Sequence, residues 1–179
     1  MDENALYKLR YPIGTFKAPE KITRDHIDGW IETIEGHPQK IRRLVNGFSE
    51  AQLDTPYRPH GWTVRQVLHH LPDSHLNSYI RFKWTLTEDI PTIKPYFEER
   101  WAELSDSFGP VDNALNLLDA IHVKWVILLK SLSDEDLKRS FIHPDSGREI
   151  TLERNIGIYA WHCDHHYAHI ANLKKEKGW

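Results

Sequence analysis

Residues 161–170 read W-H-C-D-H-H-Y-A-H-I, with His162, His165, His166 and His169 inside eight positions. Their offsets are i, i+3, i+4 and i+7, so an α-helix carries all four on one side. The stretch lies within a longer apolar periodicity over 152–176. With Ile156 at zero and about 100° per residue, Leu152, Tyr159, Ala160, Cys163, Tyr167 and Ile170 gather within about 60°. On the same wheel His166 falls near about −80°, His162 near about −120°, His169 near about −140° and His165 near about 180°. His162 and His166 therefore border the buried stripe. His165 is expected to face solvent and His169 is borderline. A metal held inside a helical protein draws ligands from facing helices, so this stretch asks for a bundle around it.

Working outward, three more segments have helical periodicity. The first spans roughly 23–48, with Ile27, Trp30, Ile31, Ile34, Ile41, Leu44, Val45 and Phe48 on one stripe. Pro38 within it is expected to kink or break the helix. The second spans roughly 64–87, capped by Thr63 and bent early by Pro72. The third spans roughly 112–132, and Thr151 can cap the fourth. L-D-T-P-Y-R-P-H-G-W (53–62) reads as a loop. S-F-I-H-P-D-S-G-R-E-I-T (140–151) reads as a small hairpin with Gly147 in its turn. Residues 88–110 form a long connection with three prolines, a candidate site cover, with a short helix near F-E-E-R-W-A-E-L (97–104). The expected fold is all-α: a four-helix bundle with long loops, in which strict up-down-up-down order is not required.

With 179 residues, one domain over 1–179 is expected. A net charge of −3 gives no basis for nucleic acid or an acidic membrane surface. No run approaches the roughly 18 apolar residues of a span, and no signal peptide is visible at the N-terminus. The lone Cys163 excludes an intramolecular disulfide framework. These features predict a cytoplasmic protein.

The second helix supplies L-H-H-L-P-D-S-H (68–75). With Val64 at zero, His70 falls near about −120°, His75 near about +20° and His69 near about 140°. His70 flanks its stripe as His162 does on the last helix, whereas His75 sits mid-stripe as a core histidine would. Periodicity leaves both open as partners of the 162–166 pair.

Y-P-I-G (11–14), the run from Leu53 through H-H-L-P-D to Lys83, and I-G-I-Y-A-W-H-C-D-H-H-Y-A-H-I (156–170) together resemble the DinB superfamily. Within it the likeness is strongest to the YfiT-like group of metal-dependent hydrolases. The resemblance implies a four-helix bundle, often dimeric, with one divalent metal per subunit on three histidines. Matched by position, these are His70, His162 and His166. Pro72 departs from the small residue usual there.

Three imidazoles leave coordination positions open, as catalytic rather than structural sites do. Zinc is the expected ion and nickel the alternative, since imidazole suits several late metals. An open position on zinc lowers the pKa of bound water to about 7, which predicts hydrolysis of a small-molecule substrate. The same ion would deprotonate a thiol. Some relatives resemble S-transferases that use a low-molecular-weight thiol such as bacillithiol, and Arg58, Arg65 or Arg81 could bind its carboxylates. A metal-stabilised protein without catalysis is a third reading. His162 and His166 are spaced as HxxxH, yet Cys163 stands where a zincin has its glutamate. Asp73, one turn past His70, could orient a ligand or accept a proton. Asp164 is expected at the surface. Trp62, Tyr79 or Trp161 are candidates to line the pocket.

Overall fold

A computed structural model describes residues 2–179. The four long helices are α2 (Arg24–Val45), α4 (Val64–Thr87), α6 (Val111–Lys130) and α8 (Leu152–Lys177). Short elements join them: α1 (Glu3–Arg10), α3 (Glu50–Leu53), α5 (Glu98–Trp101), a 3₁₀ turn at Ser105–Phe108, α7 (Asp134–Lys138), and strands β1 (Ser140–His143) and β2 (Arg148–Thr151). The two strands pair antiparallel as the expected hairpin, Ser140 opposite Thr151, with Gly147 at φ +63° in the turn.

The starts of α4 and α8 follow from their caps. Thr63 Oγ1 accepts from Gln66 N at 3.1 Å, and Gln66 Oε1 accepts in return from Thr63 N at 3.0 Å. Thr151 Oγ1 likewise accepts from Arg154 N. Helix α2 stops at Val45, short of the expected end at 48, because Gly47 turns the chain at φ +79°. Neither Pro38 nor Pro72 breaks its helix. Each removes only one ladder donor, and tertiary packing retains the rest.

Helix α4 packs on α6 and α8, and α2 packs on the same two. The order around the bundle is therefore α2, α6, α4, α8. Helices α2 and α4, successive long helices in the chain, lie on a diagonal, as do α6 and α8. The connections 46–63 and 131–151 span these diagonals, whereas 88–110 joins the neighbours α4 and α6, and the arrangement makes α4 and α8 neighbours.

The apolar core is in two parts. One holds Ile27, Ile31, Ile34, Phe82, Trp125, Leu129, Leu152, Ile156 and Cys163. The other holds Ile41, Val45, Val64, Leu68, Leu71, Leu118, Ile170 and Leu173. Every long helix places a buried histidine between them: His37 on α2, His75 on α4, His122 on α6 and His166 on α8. A polar layer thus crosses the whole bundle at one height, and such a layer persists only if its nitrogens find partners.

Candidate metal centre

At that layer α4 and α8 face each other, and His70, His162 and His166 converge. One ring nitrogen from each lies within 4.8 Å of the others. His70 Nε2 is 3.2 Å from His162 Nε2. Two imidazoles on one ion at about 2.0–2.1 Å have nitrogens about 2.9–3.4 Å apart for octahedral to tetrahedral angles, so the separation fits shared ligation. Burial pushes the His70 imidazole down to about 3, helped by nearby His165. Burial also holds His162 and His166 well below the ordinary range, with their histidine neighbours adding to it. At neutral pH these rings are uncharged, the state that ligates a metal.

The hydrogen bonds decide which nitrogen of His162 is free. The Ile34 carbonyl lies four residues before Pro38, which has no N–H to give it. His122 Nδ1 reaches that carbonyl at 2.6 Å, and since a carbonyl only accepts, Nδ1 carries the proton. Burial pushes His122 down to about 4, so the ring is neutral and its Nε2 is a lone pair. His75 Nδ1 is 2.6 Å from that Nε2 and must donate to it. His75 is fully buried and held neutral by desolvation first and by His122 second, so its Nε2 in turn accepts. It lies 3.0 Å from His162 Nδ1, which donates. His162 Nε2 is left as a lone pair turned toward His70. The proline expected to disrupt α2 thus frees the carbonyl that anchors this chain, and His75 is a hydrogen-bonded core histidine.

The three rings open onto a cavity of about 420 Å³ also lined by Trp62, Ser74, Arg81, Tyr96, Glu98 and Trp161. Ser74 Oγ lies 3.4 Å from Tyr159 Oη and 3.5 Å from His162 Nε2. Burial raises the Tyr96 phenol, so it stays protonated and can donate. The connection expected as a site cover does line the cavity, through Pro95, Tyr96 and Glu98, and the hairpin adds His143 and Asp145.

The model of the DinB superfamily matches residues 33–170. The chain belongs to the DinB superfamily. Relatives in Bacillus cereus (strain B4264) and Bacillus anthracis (strain A0248) are each 56% identical over 171 residues, covering 96% of this chain and 98% of theirs. Both carry the name "putative metal-dependent hydrolase". Among solved structures, YfiT from Bacillus subtilis, described as a probable metal-dependent hydrolase with an unusual four-helix bundle topology, is 50% identical. It superposes with a TM-score of 0.94, covering 96% of this chain and 99% of that one. The mycothiol-dependent maleylpyruvate isomerase shares the fold at a TM-score of 0.61 and 14% identity, over 80% of this chain and 63% of that chain.

This DinB-superfamily chain departs from the helical-wheel reading at two histidines. His165 and His169 are buried, 7% and 3% exposed, where solvent or a borderline position was expected. The reason is a cover that a wheel of one helix cannot include. The N-terminal segment folds over this side of α8. His169 Nε2 bonds the Arg10 carbonyl at 3.1 Å, Trp161 Nε1 donates to the Gly14 carbonyl, and Tyr57 stacks on His169. His165 lies against Trp161. Helix α1 itself had no sequence signal strong enough to foretell it.

Among the residues considered as proton carriers, Asp73 does not line the cavity. It is half-buried, and its carboxyl is pushed up to about 6, by burial first and then by Asp106. Asp164 pairs with Lys40 on the outside, as expected. Arg65 is spoken for: it bonds Asp54, Glu50 and the Gly109 carbonyl, and so cannot bind a ligand's carboxylate. Trp62 and Trp161 reach the cavity, whereas Tyr79 packs against the apolar core. Glu98 and Asp145, missed in the sequence, are carboxylates of the lining. Glu98 opens the one-turn helix α5 and Asp145 sits in the hairpin turn, segments too short for any periodicity to mark a face.

Proposed function

We propose that the chain is a metal-dependent hydrolase of small molecules, holding one divalent ion, zinc or alternatively nickel, on His70, His162 and His166. The observation that carries this is the convergence of three neutral imidazoles, one with its free lone pair turned inward, at the wall of a cavity of about 420 Å³. An ion bound there supplies a Lewis acid and a water of lowered pKa. The chain's own groups do the rest. Trp62 lies against His70 with ring centroids 4.6 Å apart and restricts its rotation. Ser74 and the protonated Tyr96 present hydroxyls to a substrate. Glu98 and Asp145, exposed at the mouth, can take up the proton released there. Homodimerisation and a cytoplasmic setting belong to the same proposal. Exposed Val123 and Ile127 on α6 form an apolar stripe that a second copy would cover.

A second grouping, His165, His166 and His169, also brings its nitrogens within 4.8 Å. A neutral imidazole has one lone pair, so His166 serves one set at a time. His70, His162 and His166 all face the cavity, whereas His169 does not line it, and this favours the first set.

The test is metal content of protein prepared without a nickel column, then a turnover screen with water as the only nucleophile. Turnover seen only after a low-molecular-weight thiol is added, with a thioether product, would replace hydrolysis by thiol transfer on the same site. The hydrogen-bond chain adds a sharper expectation. His122→Leu, which touches no ion, lowers zinc affinity about 10- to 100-fold, because His162 loses its enforced tautomer. His122→Gln, which can both accept and donate, restores most of it. Calorimetric titration with zinc reads both.

A further inference from the structure

Helix α4 buries two arginines with opposite fates. Arg65 is 5% exposed and satisfied by two carboxylates and a carbonyl. Arg81 is 8% exposed and lines the same cavity as His70, His162 and His166. Its Nε has no hydrogen-bond partner, and among the described residues no carboxylate comes within ion-pair distance of it. A buried charge is normally paired, since the low-dielectric interior penalises it otherwise. The deep wall offers no countercharge: its histidines are neutral, and Ser74 and Tyr96 are uncharged hydroxyls. The carboxylates of the lining, Glu98 and Asp145, are solvent-exposed and unpaired with Arg81. Three neutral imidazoles would also leave the full charge of a bound divalent ion uncompensated.

We infer that Arg81 anchors an anionic group, a carboxylate or phosphate, on the molecule the cavity receives. The substrate is then an anion, held by the guanidinium at one end with its reacting group toward the three histidines. A guanidinium suits this task because its planar fork gives two parallel N–H donors to two oxygens of one anion. The inference rests on the proposed metal site only for what lies at the other end.

The experiment compares wild type, Arg81→Gln, Arg81→Lys and Arg58→Gln, each zinc-loaded and metal-free, titrated with succinate and with inorganic phosphate. Wild type binds at least one probe, and the preferred one names the anion. Arg81→Gln weakens that binding about 10- to 100-fold, Arg81→Lys by less, and Arg58→Gln leaves it unchanged. Zinc stoichiometry is the same in all four. Without any anion, Arg81→Gln melts above wild type, since an unpaired buried charge has gone. The inference is overturned if wild type binds neither probe, if Arg81→Gln binds as well as wild type, or if the loss follows Arg58→Gln instead. It is also overturned if Arg81→Gln melts below wild type, the mark of a merely structural arginine. Failure of zinc to bind any of the four overturns the metal site alone, because the anion arm is read on metal-free protein too.

Discussion

His70→Ala is expected to lower zinc affinity about 100- to 1,000-fold, with the same result for His162→Ala and His166→Ala. The magnitude follows from apportionment. Zinc sites with four ligands bind with about 10–16 kcal/mol, or about 2.5–4 kcal/mol per ligand, and each ~1.4 kcal/mol is a factor of ten. His70 is the sole member of the set that comes from α4, so its loss leaves only an i,i+4 pair on one helix. His165→Ala and His169→Ala change the affinity by no more than about threefold, because they leave all three lone pairs of the favoured set in place. Titration of each variant with zinc, with metal content measured after dialysis, reads the pattern. A large loss in His169→Ala with none in His70→Ala would move the ion to the outer face of α8. The same measurement links to folding. An ion that binds only the native chain stabilises it by about 4 kcal/mol at a thousand times its dissociation constant, so the melting temperature of wild type rises with zinc and that of His70→Ala does not.

Metal-free protein is expected to unfold in mild acid, well above the pH at which carboxylates titrate. Five of the buried histidines are enough to carry this expectation: His37, His70, His75, His122 and His166. Burial is the leading cause in each and lowers the imidazole, to about 3 for His70, to about 4 for His122, and well below the ordinary value for the rest. Freed in the unfolded chain, each returns to about 6.5 and binds a proton that the native state refuses. The unfolded state therefore gains protons as pH falls, and stability falls with it. The contribution is intact above about pH 6.5 and lost progressively toward pH 3–4, where the folded rings themselves begin to titrate. At pH 5.5, one unit below the unfolded value, each group costs ~1.4 kcal/mol, and five together ~7 kcal/mol. That is comparable to the ~5–15 kcal/mol that holds a whole domain together. Circular dichroism against pH, with and without zinc, tests this. Chelated protein should lose its helicity between pH 6 and 5, and zinc should shift the midpoint downward. A chelated chain still folded at pH 4.5 would show that these histidines are not buried neutral.

Much of the architecture was legible in the chain itself. Helix α4 begins and ends where its periodicity does, because a threonine with glutamine three residues on is a local device that needs no tertiary partner. The hairpin before α8 was visible for the same reason, in the turn chemistry around Gly147. The spacing of His162 and His166 put both at the edge of a buried stripe, and that edge is where α8 meets α4. Other features were invisible locally. Pro38 reads as a defect in a helix, and only its position opposite His122 reveals the freed Ile34 carbonyl as an acceptor. Arg65 and Arg81 are the same residue type on one helix; what separates them is whether Asp54 and Glu50 lie within reach.

By itself, the sequence determined the four helices, the threonine caps of α4 and α8, most of the apolar stripes they bury and the pair of histidines on the last of them. All of these depend on chemistry within a few residues, which a 3.6-residue period records. Tertiary structure decided which helices are neighbours, which nitrogen of His162 carries the proton, why His165 and His169 are buried, and which arginine is left without a countercharge. Each of those depends on a group distant in the chain, through a hydrogen bond, a covering segment or a missing charge, and no periodicity records what lies across a cavity.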